Sequence, residues 1–176
     1  MIDTIILSGF GGQGVMFIGK VLAYAAMEKE LQVCWIPSYG PEMRGGTANC
    51  SVIISDEEIH SPVIEKADVA IVLNQPSYDK FLSRIKPGGA LVVNSSIVES
   101  TAARHDIKLI SLPATEIANE LGKPALANMV CLGALIPSLK LLNLNAIEKA
   151  MHEVVGKKKP ELFAVNMEAI KKGLDR

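Results

Sequence analysis

An apolar run, Ile5-Ile6-Leu7, ends in Ser8-Gly9-Phe10-Gly11-Gly12-Gln13-Gly14 and passes directly into Val15-Met16-Phe17-Ile18-Gly19-Lys20-Val21-Leu22-Ala23, which is apolar at helical spacing and free of proline. This reads as a strand, a tight turn and a helix, the opening unit of an α/β sheet. Gly9, Gly11 and Gly14 fall on G-x-G-x-x-G, with a fourth glycine at Gly12. Glycine permits positive φ in such a turn and lets backbone N–H groups approach a ligand. The helix N-terminus behind it favours an anion in the same space. Two readings stand side by side: close helix–strand packing, or contact with a phosphate or a partner loop.

A dinucleotide site needs an acid at the end of the second strand to hold a ribose hydroxyl. Here that strand reads Gln32-Val33-Cys34-Trp35-Ile36 and runs into Pro37-Ser38-Tyr39. No Asp, Glu, Lys or Arg closes it, and the nearest acid is Glu42. The turn is therefore read as an anion or backbone-contact loop, and NAD is disfavoured.

The chain has 176 residues, 49% of them hydrophobic and 21% charged. That suffices for one domain, residues 1–176, with a full α/β core. A mean hydropathy of +0.27 points to a sheet covered on both faces, or to apolar surface buried by partners. It also predicts self-association of the isolated chain. A net charge of −1 gives no electrostatic case for nucleic acid. Met1-Ile2-Asp3-Thr4 has no basic n-region, and the apolar stretch Met129 to Leu142 is too short to span a bilayer. The expectation is a cytoplasmic protein without a membrane segment. Cys34, Cys50 and Cys131 form no C-x-x-C pair, so they read as buried small hydrophobes rather than ligands of zinc or an iron–sulfur cluster.

After the first helix, about Gln13 to Glu28, and the second strand, the loop Ser38-Tyr39-Gly40-Pro41-Glu42-Met43-Arg44-Gly45-Gly46 leads into the alternating strand Thr47 to Ile54. Ser55 to Glu58 would turn that strand back into Ile59-His60-Ser61-Pro62 as an appended hairpin. Val69 to Leu73, Ala90 to Val93 and Lys108 to Leu112 read as further strands. Asn74-Gln75-Pro76-Ser77 caps a helix through Phe81 to Ile85, and Lys86-Pro87-Gly88-Gly89 reads as a turn. Helices follow over Ala114–Leu121, Asn128–Leu139, Asn145–Val155 and Glu161–Leu174. The fold class is thus α/β: a three-layer, mostly parallel doubly wound sheet with an appended β-hairpin and a helical C-terminal tail.

Ligands on such sheets bind at the carboxyl ends of the strands. The residues expected there are Gly9, Gly11, Gly12, Gln13, Gly14, Ser38, Tyr39, Arg44, Gly45, Asn74, Asn94 and Ser95. Amides, hydroxyls and glycine dominate, with one arginine and no His or Cys. Such a rim binds a ligand and makes neither a nucleophile–base pair nor a metal site. Arg44 reads either as an ion-pair partner of Glu42 or as a fork on a phosphate or a partner carboxylate. His60, His105 and His152 sit on separate elements as surface histidines, and the Met129–Leu139 stripe reads as a core or subunit-facing helix.

The block from Gly9 to Gly14 together with Ser38 to Cys50 resembles the gamma subunit of the 2-oxoacid:ferredoxin (acceptor) oxidoreductases. Leu73-Asn74-Gln75, Lys86-Pro87-Gly88-Gly89, Asn94-Ser95-Ser96 and Asn128-Met129-Val130 extend the resemblance over the chain. It implies a subunit of an enzyme that oxidatively decarboxylates a 2-oxoacid with coenzyme A to an acyl-CoA and passes electrons to ferredoxin. Thiamine diphosphate and magnesium would lie in alpha and beta subunits, and iron–sulfur clusters in partners that include a ferredoxin-like subunit. This chain would contribute to the coenzyme A approach and to docking, with no catalytic residue and no metal of its own. The wording Ser38 to Ala48 is more similar to subunits serving 2-oxoglutarate or branched-chain 2-oxoacids than to those serving pyruvate. The alternatives are a free-standing NAD or FAD domain and a scaffold subunit that binds no small molecule.

Overall fold

The computed structural model describes residues 1–39, 47–100 and 104–176. Among them six strands form one sheet: β1 (Ile2–Phe10), β2 (Gln32–Tyr39), β3 (Thr47–Ser55), β4 (Ala67–Val72), β5 (Ile85–Asn94) and β6 (Lys108–Leu112). Their order across the sheet is β2-β3-β1-β4-β5-β6. The pairs β1–β4, β4–β5 and β5–β6 are parallel. β3 runs antiparallel to both of its neighbours, β1 and β2.

Alternation along the central strands sends side chains to two separate cores. Ile5, Leu7, Val52, Ile54, Val69, Ile71 and Val92 face one side. There they meet α1 (Val15–Glu28), α3 (Ala114–Glu120), α4 (Ala127–Leu135), α5 (Leu144–Met151) and α6 (Pro160–Leu174). Ile6, Ile53, Ala70, Val72, Leu91 and Val93 face the other, under Tyr78 and Phe81 of α2 (Gln75–Phe81) and Val98. Two covered faces account for the apolar composition and for strands without a polar side.

The expected hairpin has a different partner. β3 pairs with β2, from Gln32 opposite Ser55 to Tyr39 opposite Ala48, and Ile59–Pro62 forms no strand. Instead Ile59 and Ile64 lie against the second core. Pro62, lacking an N–H, could not have served a ladder there. Lys86–Gly89 is likewise no separate turn. It is the irregular start of β5, where pairing with β4 jumps from Ala67–Ile85 to Val69–Ala90.

The helix expected over Asn128–Leu139 is α4 followed by a 3₁₀ turn at Ile136–Ser138. Every residue from Asn128 to Leu135 is buried, so this is a core helix. At two glycines it meets α6 backbone to backbone. A Cβ at Gly133 would lie 1.9 Å from the Ile170 carbonyl oxygen, and one at Gly173 would lie 1.9 Å from that of Val130. The helix expected over Asn145–Val155 is α5 continued by a π-helical turn at His152–Gly156. No helix among the described residues is long and apolar enough to cross a membrane.

Candidate functional site

Because β3 is antiparallel, its amino end joins the carboxyl ends of the other five strands on one rim. β1 leaves the sheet at Phe10, and α1 begins five residues later at Val15. So short a connection requires left-handed backbone: Gly12 has φ +94 and Gly14 φ +79. Gly14 is the N-cap of α1, its carbonyl accepting from the N–H groups of Phe17 (3.1 Å) and Ile18 (3.2 Å), without a side-chain cap. Gly9 is a packing glycine, since a Cβ there would stand 2.7 Å from Gln13 Oε1 and 3.1 Å from Leu73 Cβ. Gln13 braces the turn. Its Oε1 accepts from the Phe10 N–H at 2.6 Å, and its Nε2 donates to the Leu73 carbonyl at 3.1 Å. The packing reading therefore accounts for Gly9 and Gln13, whereas Gly11 and Gly12 are exposed and present backbone to the rim.

The amides farther along the rim are also engaged. Asn74 is fully buried, and its Oδ1 caps α2 by accepting from the Ser77 N–H at 2.9 Å. Its Nδ2 is buried without a partner among the described residues. Ser8 and Ser77 share a hydroxyl hydrogen bond of 2.8 Å beside it. Asn94, at the end of β5, donates from Nδ2 to Thr115 Oγ1 at 2.9 Å and accepts at Oδ1 from the Ser96 and Thr115 N–H groups, both at 3.3 Å. The strand end is thus stitched to the first turn of α3. Asn128, at the start of α4, donates from Nδ2 to the Gly14 carbonyl at 3.4 Å and accepts from the Met129 N–H at 2.8 Å.

Together these residues enclose a cavity of about 270 Å³. Gly12, Gln13 and Asn94 line it, joined by Thr115 and Asn128, with Leu73, Ile97, Pro124, Ala125 and Ala127 as the apolar wall. Gly9 and Gly14 support the turn from beneath. Ser95 is exposed beyond Asn94, its N–H bonded to the Leu112 carbonyl at 2.9 Å. Ser38 is exposed near the end of β2, opposite Asn49. Only the backbone of Tyr39 is described, paired with Ala48. Arg44, Gly45 and the rest of their loop lie outside the described residues. Buried Asn74 caps a helix below the rim and does not line the cavity.

Thr115 and Asn128 were not among the sequence-derived site residues. Asn128 had a signal in the Asn128-Met129-Val130 match, but Thr115 had none, because only the docking of α3 brings it to Asn94. Among the described residues, no Lys, Arg, Asp, Glu, His or Cys lines this cavity. Among the described residues, no three His, Cys, Asp or Glu side chains are placed to hold a metal ion. The cavity can accept and donate neutral hydrogen bonds against an apolar wall.

Elsewhere, His60, His105 and His152 are exposed. Cys50 and Cys131 are buried, as expected, and Cys34 is half-buried. Burial pushes the Cys131 thiol up to about 12. Burial likewise raises Cys50 to about 11, partly opposed by a hydrogen bond with Trp35.

A family model for pyruvate ferredoxin/flavodoxin oxidoreductase matches residues 4–176. The chain belongs to this family. The 2-oxoglutarate synthase subunit KorC of Methanocaldococcus jannaschii is 38% identical over 172 residues, covering 96% of this chain and 90% of KorC. The ketoisovalerate oxidoreductase subunit VorA of Methanothermobacter marburgensis is 34% identical over 172 residues, 96% of this chain and 35% of VorA. The chain thus spans about a third of that relative's length. Among solved structures, the 2-oxoglutarate:ferredoxin oxidoreductase of Magnetococcus marinus, with 2-oxoglutarate, coenzyme A and succinyl-CoA bound, is similar with a TM-score of 0.88 and 28% identity. That similarity covers 99% of this chain and 30% of the other. The α/β architecture drawn from the sequence is therefore the architecture of the pyruvate ferredoxin/flavodoxin oxidoreductase domain.

Proposed function

We propose that this chain is the gamma-type subunit of a 2-oxoacid:ferredoxin oxidoreductase. Its complex would convert a 2-oxoacid, with coenzyme A, to an acyl-CoA. The observation that carries the reading is the rim itself: a braced cavity lined, among the described residues, by neutral hydrogen-bonding and apolar groups, in a chain matched almost end to end by KorC. Such a site can position a substrate for chemistry supplied elsewhere. The similarity to a coenzyme A-bound oxidoreductase supports coenzyme A as the ligand.

The cavity suits an uncharged, amide-bearing stretch such as the pantetheine arm. Asn94, Thr115 and Asn128 would orient that arm, and Leu73 and Ile97 would exclude water from it. The exposed backbone of Gly11 and Gly12, just before α1, would meet the phosphates. Thiamine diphosphate, magnesium and iron–sulfur clusters belong in this reading to the alpha, beta and ferredoxin-like partner subunits. The names of the relatives favour 2-oxoglutarate or a branched-chain 2-oxoacid as substrate.

The test is anaerobic purification with the tagged chain, followed by reconstitution. The expected outcome is recovery of a thiamine-diphosphate subunit pair whose acyl-CoA formation depends on this chain. Full activity in a complex lacking the chain would overturn the reading.

A further inference from the structure

We propose that the amino end of the sheet carries a separate site for the phosphate group of a small phosphorylated molecule. A cavity of about 430 Å³ opens there, within the size range of small-molecule sites. Lys86, Lys108 and Lys140 line it, from the start of β5, the start of β6 and the segment after α4. Among the described residues, Asp68 is the one carboxylate in the lining. Three ammonium groups stand against that carboxylate and the buried Asp3 carboxylate behind Lys140, an excess of positive charge that favours an anion.

Two of the three lysines are held in place. Asp68 Oδ2 accepts from Lys86 Nζ at 3.0 Å, and Oδ1 from Lys140 Nζ at 2.9 Å. Lys86 Nζ also donates to Thr4 Oγ1 at 3.3 Å, and Lys140 Nζ to the Ile2 carbonyl at 3.1 Å. The backbone N–H of Lys140 is anchored in turn on the buried carboxylate of Asp3, 3.1 and 3.0 Å from its two oxygens. An ammonium has three donors, so each of these lysines keeps one after its two fixed bonds. Their geometry is set before any ligand arrives, which lowers the ordering cost of binding. Lys108 makes no ion pair among the described residues.

Val69, Pro87 and Pro137 complete the wall and offer apolar surface to the organic part of the ligand.

The test is calorimetric titration of the full chain with pyrophosphate and with inorganic phosphate, at ionic strength fixed by sodium chloride. Saturable one-site binding is expected, with Kd of about 1 mM or tighter. Lys108→Gln should weaken it about tenfold, the worth of one charge-assisted contact. Absence of saturable binding for both anions up to about 10 mM would overturn the proposal. Parent-like affinity in Lys108→Gln would overturn it as well.

Discussion

Gly14 and Asn128 stand 114 residues apart and meet where the glycine-rich turn touches the start of α4. The Asn128 Nδ2 donates to the Gly14 carbonyl at 3.4 Å, and a Cβ on Gly14 would fall 2.1 Å from that same nitrogen. Positive φ at Gly14 would by itself cost a larger side chain about 1–3 kcal/mol. Gly14→Ala should therefore destabilise the protein by at least that amount in urea titration. Part of the loss is a clash with Asn128, so Gly14→Ala in an Asn128→Ala background should cost less than in the parent. Strict additivity of the two changes would show that the contact carries none of the penalty.

Gly133 and Gly173 make the second exacting contact. Each would drive a Cβ into a backbone carbonyl of the opposite helix, and backbone cannot move aside as a side chain tip can. Gly133→Ala and Gly173→Ala should each cost about 2–4 kcal/mol, seen as a large drop in the denaturation midpoint. A loss below about 0.5 kcal/mol, typical of surface changes, would mean that α4 and α6 separate easily.

Asp68 should give the protein an acid-sensitive limb. Burial opposes its charged form, but hydrogen bonds from Thr4, Lys140 and Lys86 outweigh that and hold the carboxyl well below the usual range. A depressed folded-state value means that its stabilisation is complete above the unfolded value of about 4 and is lost as pH falls from there through the folded value. Unfolding free energy measured from pH 6 to pH 3 should fall more steeply in the parent than in Asp68→Asn, which should be the less stable protein at pH 6. Parallel profiles would show that the Asp68 carboxylate contributes nothing.

Thiol reactivity should be low at two of the three cysteines. With Cys50 raised to about 11 and Cys131 to about 12, both remain protonated at pH 8, and the thiolate is the reactive form. Brief iodoacetamide treatment of native protein at pH 8, followed by peptide mass spectrometry, should leave Cys50 and Cys131 unmodified and label both in urea. Equal rates in the two states would show that the core opens readily.

In the proposed coenzyme A-using complex, Asn94→Ala should loosen the join between β5 and α3 made through Thr115. The KM for coenzyme A should rise about tenfold, the scale of one or two positioning hydrogen bonds, with kcat changed less. An unchanged KM would remove this cavity from the coenzyme A path.

Strand–turn–helix at Ile5 to Ala23 was legible in the sequence because its signals are local. An apolar run, glycines at the turn and helical periodicity need no knowledge of the rest of the chain. The carboxyl-end rim followed from the same logic, and Gly12, Gln13 and Asn94 do line its cavity. The resemblance to the oxidoreductase gamma subunits was legible too, since it rests on motifs in order along the chain.

Strand pairing was not legible. β3 could turn back on Ile59–Pro62 or lie beside β2; it lies beside β2, while Ile59 and Ile64 pack on the second core. Nor could the sequence place Thr115 against Asn94, Asn128 against Gly14, or Lys86, Lys108 and Lys140 around one cavity. Periodicity records which face of an element is buried. Which distant side chains then meet depends on how the elements pack, and only the tertiary structure decides that.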